Sequence, residues 1–160
     1  MANSDNKISG KIDLAKVPVK TGSGYPGALA AKMDGRGQQA VGDAAGLAQF
    51  GANIVTLAPG ALSSLRHWHE EQDEILVVLN GQLTLVDDTG DTELLPGDCA
   101  AFPAGVANGH HLINRSDVDG RFFVVGTRTA TETGWYSDVD MKVMMDADGF
   151  RFTRKNGEAL

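Results

Sequence analysis

From residue 50 onward the sequence is a succession of short apolar runs separated by turn-forming residues. Turn signals recur about every eight to twelve residues, a cadence that admits a sandwich, a jelly roll or a barrel and leaves no room for long helices. Strands are expected over 50–57, 61–69, 75–79, 82–86, 92–95, 99–102, 110–114 and 121–125, with a last hairpin formed by 141–145 and 150–154. Asn80-Gly81 carries the strongest short-range hairpin signal in the chain. Leu95-Pro96-Gly97-Asp98 reads as a type II turn, with Pro and Gly at its two central positions. Asp146-Ala147-Asp148-Gly149 lacks the spacing and flanking helices of an EF-hand.

The segment before residue 49 is different. Residues 1–10 are polar, and Lys11 to Lys20 alternates imperfectly, as an edge strand does. Residues 21–48 are rich in Gly and Ala and read as an arm lying over the β core or over a partner subunit. Within it, Ala28 to Met33 suits a short helix stopped by Gly35 and Gly37. The expected organisation is one domain: residues 1–48 as an N-terminal arm with an edge strand, and 49–160 as the β-barrel with its C-terminal strands.

Charge and composition exclude several functions. Acidic residues outnumber basic ones, 21 to 14, for a formal charge of -7, a poor surface for nucleic acid. The nearest approach to a basic cluster is Arg151, Arg154 and Lys155, too short for a binding stripe. No apolar run approaches the ~18 residues of a membrane span. The N-terminus shows no apolar signal region, and Ala2 stands where myristoylation needs glycine. A cytoplasmic protein is expected, which leaves Asn114-Arg115-Ser116 without a glycosylation role. Cys99 is the only cysteine, so no internal disulfide exists. With no activating partner evident, it is expected to be a small buried hydrophobe.

The chemistry concentrates in four histidines: His67, His69, His110 and His111. Residues two apart in a strand share a face, so His67 and His69 point the same way. Glu74 follows on the next apolar run, and a turn at 70–73 brings it alongside. Two imidazoles with a carboxylate suit Zn, Fe, Ni, Mn or Co at a mixed N/O site. The alternative is that the histidines are an exposed strand end. A third imidazole is available from His110 or His111, only one of which alternation turns inward.

These residues fall in two ordered motifs. The first is Gly60, six residues, His67-Trp68-His69, four residues, Glu74, six residues, Gly81; the second is Gly97, five residues, Pro103-Ala104-Gly105, four residues, His110, three residues, Asn114. In this the chain resembles the cupin superfamily, specifically its small single-domain bacterial members. It departs from the family pattern in a first gap one residue longer than usual and in two extra residues before His110, which put Asn108 at the usual histidine position. The resemblance implies an all-β double-stranded β-helix, a jelly-roll barrel of the cupin type, with Gly60, Gly81, Gly97 and Gly105 at turns. It implies one divalent metal per chain held by His67, His69, Glu74 and His110, the spacing to Asn114 selecting His110 over His111.

Such a set leaves one or two coordination positions for water, substrate oxygen or dioxygen, and Glu74 is the candidate catalytic base. Pocket candidates are Arg66, Leu76, Val78, Phe102, Asn108 and Tyr136, with Phe50 and Trp135 as further options. Arg66 and Lys142 are the candidates for gripping an anion. Trp68, between the histidines, is expected on the outer sheet face. The resemblance implies a metal-dependent enzyme of oxygenase, isomerase or lyase type acting on a small polar metabolite. The alternative is a non-catalytic cupin that binds a sugar or effector; a third reading is a metal that only staples the fold. A homodimer packed through the N-terminal strands is expected.

Overall fold

A computed structural model describes residues 7–160 of the chain; the first six residues of the polar run 1–10 lie outside the described residues. Thirteen strands are present among the described residues: β1 (Lys20–Thr21), β2 (Arg36–Gln39), β3 (Phe50–Leu57), β4 (His67–His69), β5 (Glu74–Asn80), β6 (Leu83–Asp87), β7 (Gly90–Leu94), β8 (Cys99–Phe102), β9 (His111–Ile113), β10 (Gly120–Thr127), β11 (Glu132–Tyr136), β12 (Lys142–Asp146) and β13 (Gly149–Thr153). Among the described residues helix is confined to 3-10 turns at Leu14–Lys16 and Gly27–Met33 and the single turn α1 (Val41–Ala44). No helix among the described residues is long and apolar enough to cross a membrane.

The all-β expectation holds, but the expected closed barrel does not. The strands form three separate antiparallel sheets, ordered β1-β2-β3-β10-β5-β8, β13-β12-β11-β4 and β7-β6-β9. Closure fails because the chain before β4 is not the continuous strand expected over 61–69. Leu62 meets Ile113 and His67 meets His110 only as isolated bridges. Between them Ser63 Oγ accepts a hydrogen bond from the Leu112 N–H at 2.9 Å, where a continuous ladder would use backbone.

Asn80-Gly81 is likewise not a hairpin. β5 and β6 belong to different sheets, and Gly81 turns the chain from one to the other. Its φ is +74°, and a Cβ there would lie 2.6 Å from the Asp119 carbonyl oxygen, so only glycine fits this corner. The Leu95–Asp98 turn forms as read, with Asp98 N–H donating to Leu95 O at 2.9 Å and Gly97 at φ +94°.

The N-terminal segment is woven into the sheet. Lys11 to Lys20 yields only the two-residue β1, because Asp13 caps a 3-10 turn instead, accepting from Ala15 N–H at 3.2 Å. β2 pairs with β3 in register Arg36↔Leu57 through Gln39↔Ile54. Val17, Val41 and Ala52 form a buried cluster with Phe50, Ile54 and Phe123, which covers the outer face of β3 and β10.

The main core lies between the six- and three-stranded sheets. Val55, Leu57, Leu76, Val78 and Phe122 of the first pack with Leu83, Leu94 and Leu112 of the second. Each such side chain contributes about 1.5–3 kcal/mol of transfer free energy. A second cluster, Met33, Leu65, Tyr136 and Met141, packs under the four-stranded sheet.

Asn114 joins these parts. It is fully buried, and its Nδ2 donates to the carbonyls of Leu57 (2.8 Å) and Val118 (2.7 Å), while its Oδ1 accepts from Ser116 N–H at 2.9 Å. Replacing it by alanine removes the side-chain donor to the Leu57 carbonyl and the acceptor for Ser116 N–H, so N114A is expected to lower unfolding free energy by about 1–3 kcal/mol, read from urea denaturation midpoints.

Candidate functional site

β4 begins where Arg66 pins the chain. The Arg66 guanidinium donates from Nε to Asp138 and from Nη1 to Asp88 and to the Gly109 carbonyl, at 2.9–3.1 Å. These acids hold its pKa above the usual arginine value. From there alternation aims His67 and His69 inward and Trp68 outward, where its ring stacks on Trp135 at 6.2 Å. Glu74 opens β5 on the inner face, paired with Phe102 of β8. His110 enters just before β9, its ring stacked on Phe102 with centroids 3.4 Å apart and planes 2° from parallel.

The structure therefore gathers His67, His69, Glu74 and His110. His67 Nε2 lies 3.2 Å from His69 Nε2, and His110 Nε2 lies 3.4 Å from Glu74 Oε1. The other ring nitrogens face backbone carbonyls. His67 Nδ1 is 2.8 Å from the Leu65 carbonyl and His110 Nδ1 is 3.3 Å from that of Asn108. A carbonyl only accepts, so in neutral His67 the N–H sits on Nδ1 and Nε2 presents its lone pair to the site, whereas His110 meets an acceptor on each side, the Asn108 carbonyl and the Glu74 carboxylate. His111 turns to the Ser64 carbonyl instead, at 3.0 Å.

This donor set suits a divalent cation: three imidazoles gathered beside a carboxylate that lacks a lysine or arginine partner among the described residues. The four groups are not closed into a coordination shell. Among the described residues no group of three or more His, Cys, Asp or Glu side chains stands ready to hold a metal ion.

Burial and the neighbouring His69 push His67 down to about 4 from 6.5. Burial alone raises the Glu74 pKa, but the His110 hydrogen bond and the surrounding imidazoles bring it below the ordinary carboxylate value.

The four side chains stand in the wall of an open cavity of about 760 Å³, lined also by Leu76, Phe102, Phe122 and Tyr25. Two of the expected pocket residues, Leu76 and Phe102, are thus in place. The others are elsewhere. Val78 is sealed in the main core at 1% exposure. Arg66 is consumed by its acidic partners. Asn108 faces a smaller hollow behind the site, where it accepts from Asp88 N–H at 2.9 Å and donates to Asp87. Tyr136 packs in the second cluster, its ring 5.5 Å from that of Tyr25. Phe50 serves the outer cluster. Trp135 faces outward, with the Lys142 ammonium 5.0 Å above its ring, so neither reaches the cavity. Cys99 is exposed rather than buried, since alternation in β8 turns it away from the core.

Two residues near the site escaped the sequence reading. Glu132 is 6% exposed, accepts from Glu70 N–H at 2.8 Å and stands 3.8 Å from His69 Nδ1. The signal was the alternation of 132–136, which buries Glu132, Gly134 and Tyr136 on one face. Arg36 lines the cavity from β2, hidden in a stretch whose glycines suggested a loose arm.

A cupin domain model matches residues 53–126. The crystal structure of a sugar phosphate isomerase of the cupin superfamily from Silicibacter pomeroyi is 58% identical, covering 94% of this chain and 96% of its own, with a TM-score of 0.93. A candidate sugar phosphate isomerase from Acidithiobacillus ferrooxidans is 24% identical over 78% of this chain and 80% of its own, with a TM-score of 0.72, and supports the fold alone. So does a polyketide cyclase from Streptomyces resistomycificus, 22% identical over 75% of this chain and 80% of its own, with a TM-score of 0.61. No curated protein matches the chain. The chain belongs to the cupin superfamily.

In the metal-free chain the folded state takes up a proton at His67 less readily than the unfolded state. Between pH 6.5 and about 4 the unfolded chain therefore binds more protons, and stability falls as pH drops through that window. Glu74, held below the ordinary carboxylate value, acts in the same direction at lower pH. Denaturation midpoints across pH 7.5 to 4 are expected to decline, and H67N is expected to flatten the upper part of the decline.

Proposed function

We propose that this protein is a metal-dependent isomerase acting on a small polar metabolite, of the sugar phosphate class, within the 760 Å³ cavity. The observation that carries the reading is the convergence of His67, His69, Glu74 and His110 on one wall of that cavity. The relative described as a sugar phosphate isomerase supports the reaction class. The four side chains are the residues that would hold one divalent ion, Fe, Mn, Ni, Zn or Co. The ion supplies Lewis-acid polarisation of a substrate carbonyl.

The chain's own residues do the rest. Glu74 is the proposed base: its carboxylate takes the proton from the carbon beside the carbonyl and returns it to the former carbonyl carbon, while the hydroxyl proton passes to the former carbonyl oxygen, so that carbonyl and hydroxyl exchange places. Its depressed pKa keeps it ionised at neutral pH. Phe102 holds the His110 ring by stacking, and Glu132 faces His69 Nδ1 to orient the second imidazole. Leu76, Phe102 and Phe122 shield the reacting carbons from bulk water.

Titration with Mn²⁺, Co²⁺ or Zn²⁺ is expected to show one site per chain, weakened at least about tenfold in H69A. Incubation of the loaded protein with aldose and ketose phosphates in D₂O is expected to place deuterium beside the carbonyl, and E74Q is expected to lose about 10²-fold or more of that exchange. Metal binding without exchange on any such compound would favour the sugar- or effector-binding alternative.

We also propose that the chain is a homodimer. Ile75 and Leu79 of β5 are 51% and 44% exposed, and Ile75 shares the outer sheet face with Ala101 of β8. This edge is left bare by the N-terminal cluster, which shields β3 and β10. Light scattering is expected to give twice the chain mass for the native protein and the single mass for an I75E/L79E double variant.

A further inference from the structure

β2 breaks the inward pattern of its sheet. Register places Arg36 opposite Leu57 and Gln38 opposite Val55, both core residues of the inner face. Two polar side chains thus occupy positions where the sheet elsewhere buries Val, Leu and Phe, and both line the cavity. An inward polar residue has to be satisfied or it costs stability.

Arg36 is only partly satisfied. Its Nη2 donates to Gln38 Oε1, and Gln38 Nε2 donates in turn to Asn53 Oδ1 at 2.8 Å. Its Nε is buried without a hydrogen-bond partner. Among the described residues Arg36 forms no ion pair, in contrast with Arg66, Arg115, Arg128, Arg151 and Arg154, each of which has a carboxylate. Burial lowers its pKa, the signature of a cation without an anion. The neighbouring cavity wall adds Lys20 and the Gly22-Ser23-Gly24 turn, and the only acid among the described lining residues is Glu74. Glu74 stands on β5, three strands from β2 and six residue positions further along the sheet, since Arg36 pairs with Leu57 while Glu74 is level with Gly126 and Gly51.

We propose that Arg36, with Lys20 beside it, is the anion subsite of this cavity and takes the phosphate of a phosphomonoester whose reacting end lies at the His67–Glu74 wall. Two cations match a dianion better than a single carboxylate, and the free Nε with its guanidinium fork suits phosphate oxygens. The bound phosphate completes the orphaned donor and neutralises the buried charge. This assignment rests on the proposed reaction at the opposite wall for the identity of the other end, but not for the anion subsite.

The test is calorimetric binding of inorganic phosphate, with malonate as the carboxylate probe, to the full chain and to R36M, R36K and H69A. Phosphate is expected to bind the native chain, roughly 10- to 100-fold more weakly in R36M and with intermediate affinity in R36K, which keeps the charge but loses the fork. H69A is expected to bind phosphate as the native chain does, whatever its metal binding or turnover. The thermal midpoint of ligand-free R36M is expected to equal or exceed the native one, since the substitution removes a buried charge that lacks an ion-pair partner. Equal phosphate affinity in R36M and the native chain, no phosphate binding by the native chain, or a fall in the ligand-free midpoint of R36M without loss of phosphate affinity would each overturn the assignment. Malonate binding more tightly than phosphate would overturn the choice of phosphate. Arg36-dependent phosphate binding in a chain that exchanges no deuterium defeats the isomerase reading and leaves this one standing.

Discussion

Asn114 holds the chain at the junction of two sheets. Its amide reaches the last carbonyl of β3 and the turn before β10, while its backbone N–H donates to Ala61 and its carbonyl accepts from Gly60. All of this occurs at zero exposure, where an unmade hydrogen bond has no water to replace it. The segment running into β4 is thereby set against the segment running into β9, and the bridge between His67 and His110 follows. Since β4 and β9 share no ladder, these few bonds fix how the two histidine-bearing segments meet.

The fold was legible wherever local chemistry decided it. Strand β3 falls on the expected residues, as does β8, because apolar alternation and flanking turns agree there. The last hairpin forms around Asp146 and Gly149 as read. What the sequence could not carry was pairing between distant segments. Asn80-Gly81 has hairpin chemistry, yet its flanking strands find better partners in two different sheets, and the corner glycine is chosen by the Asp119 backbone pressed against it. Closure was likewise a tertiary matter, lost where Ser63 replaces a ladder bond with a side-chain one.

The site divides in the same way. The H-x-H spacing, Glu74 and the interval from His110 to Asn114 are local or motif features, and these side chains do meet. The residues around them were harder to place. Arg66 and Lys142 carry the right charge for an anion, but one is bound to Asp138 and Asp88 and the other lies over an outward tryptophan. Arg36 looked like part of a glycine-rich arm until its register on β3 turned it inward. Charge was visible from composition; the direction of a side chain depends on which strand it pairs with.

The two extra residues before His110 have a mechanical role. Asn108 ties their loop to the β6–β7 turn through Asp87 and Asp88, and Arg66 reaches both that turn and the Gly109 carbonyl. The turn, the loop and the start of β4 form one braced strut, with the His110 imidazole at its inner end. The outer turn of the hairpin and the interior imidazole thus belong to one hydrogen-bonded unit, so the sheet surface helps set where that ring stands.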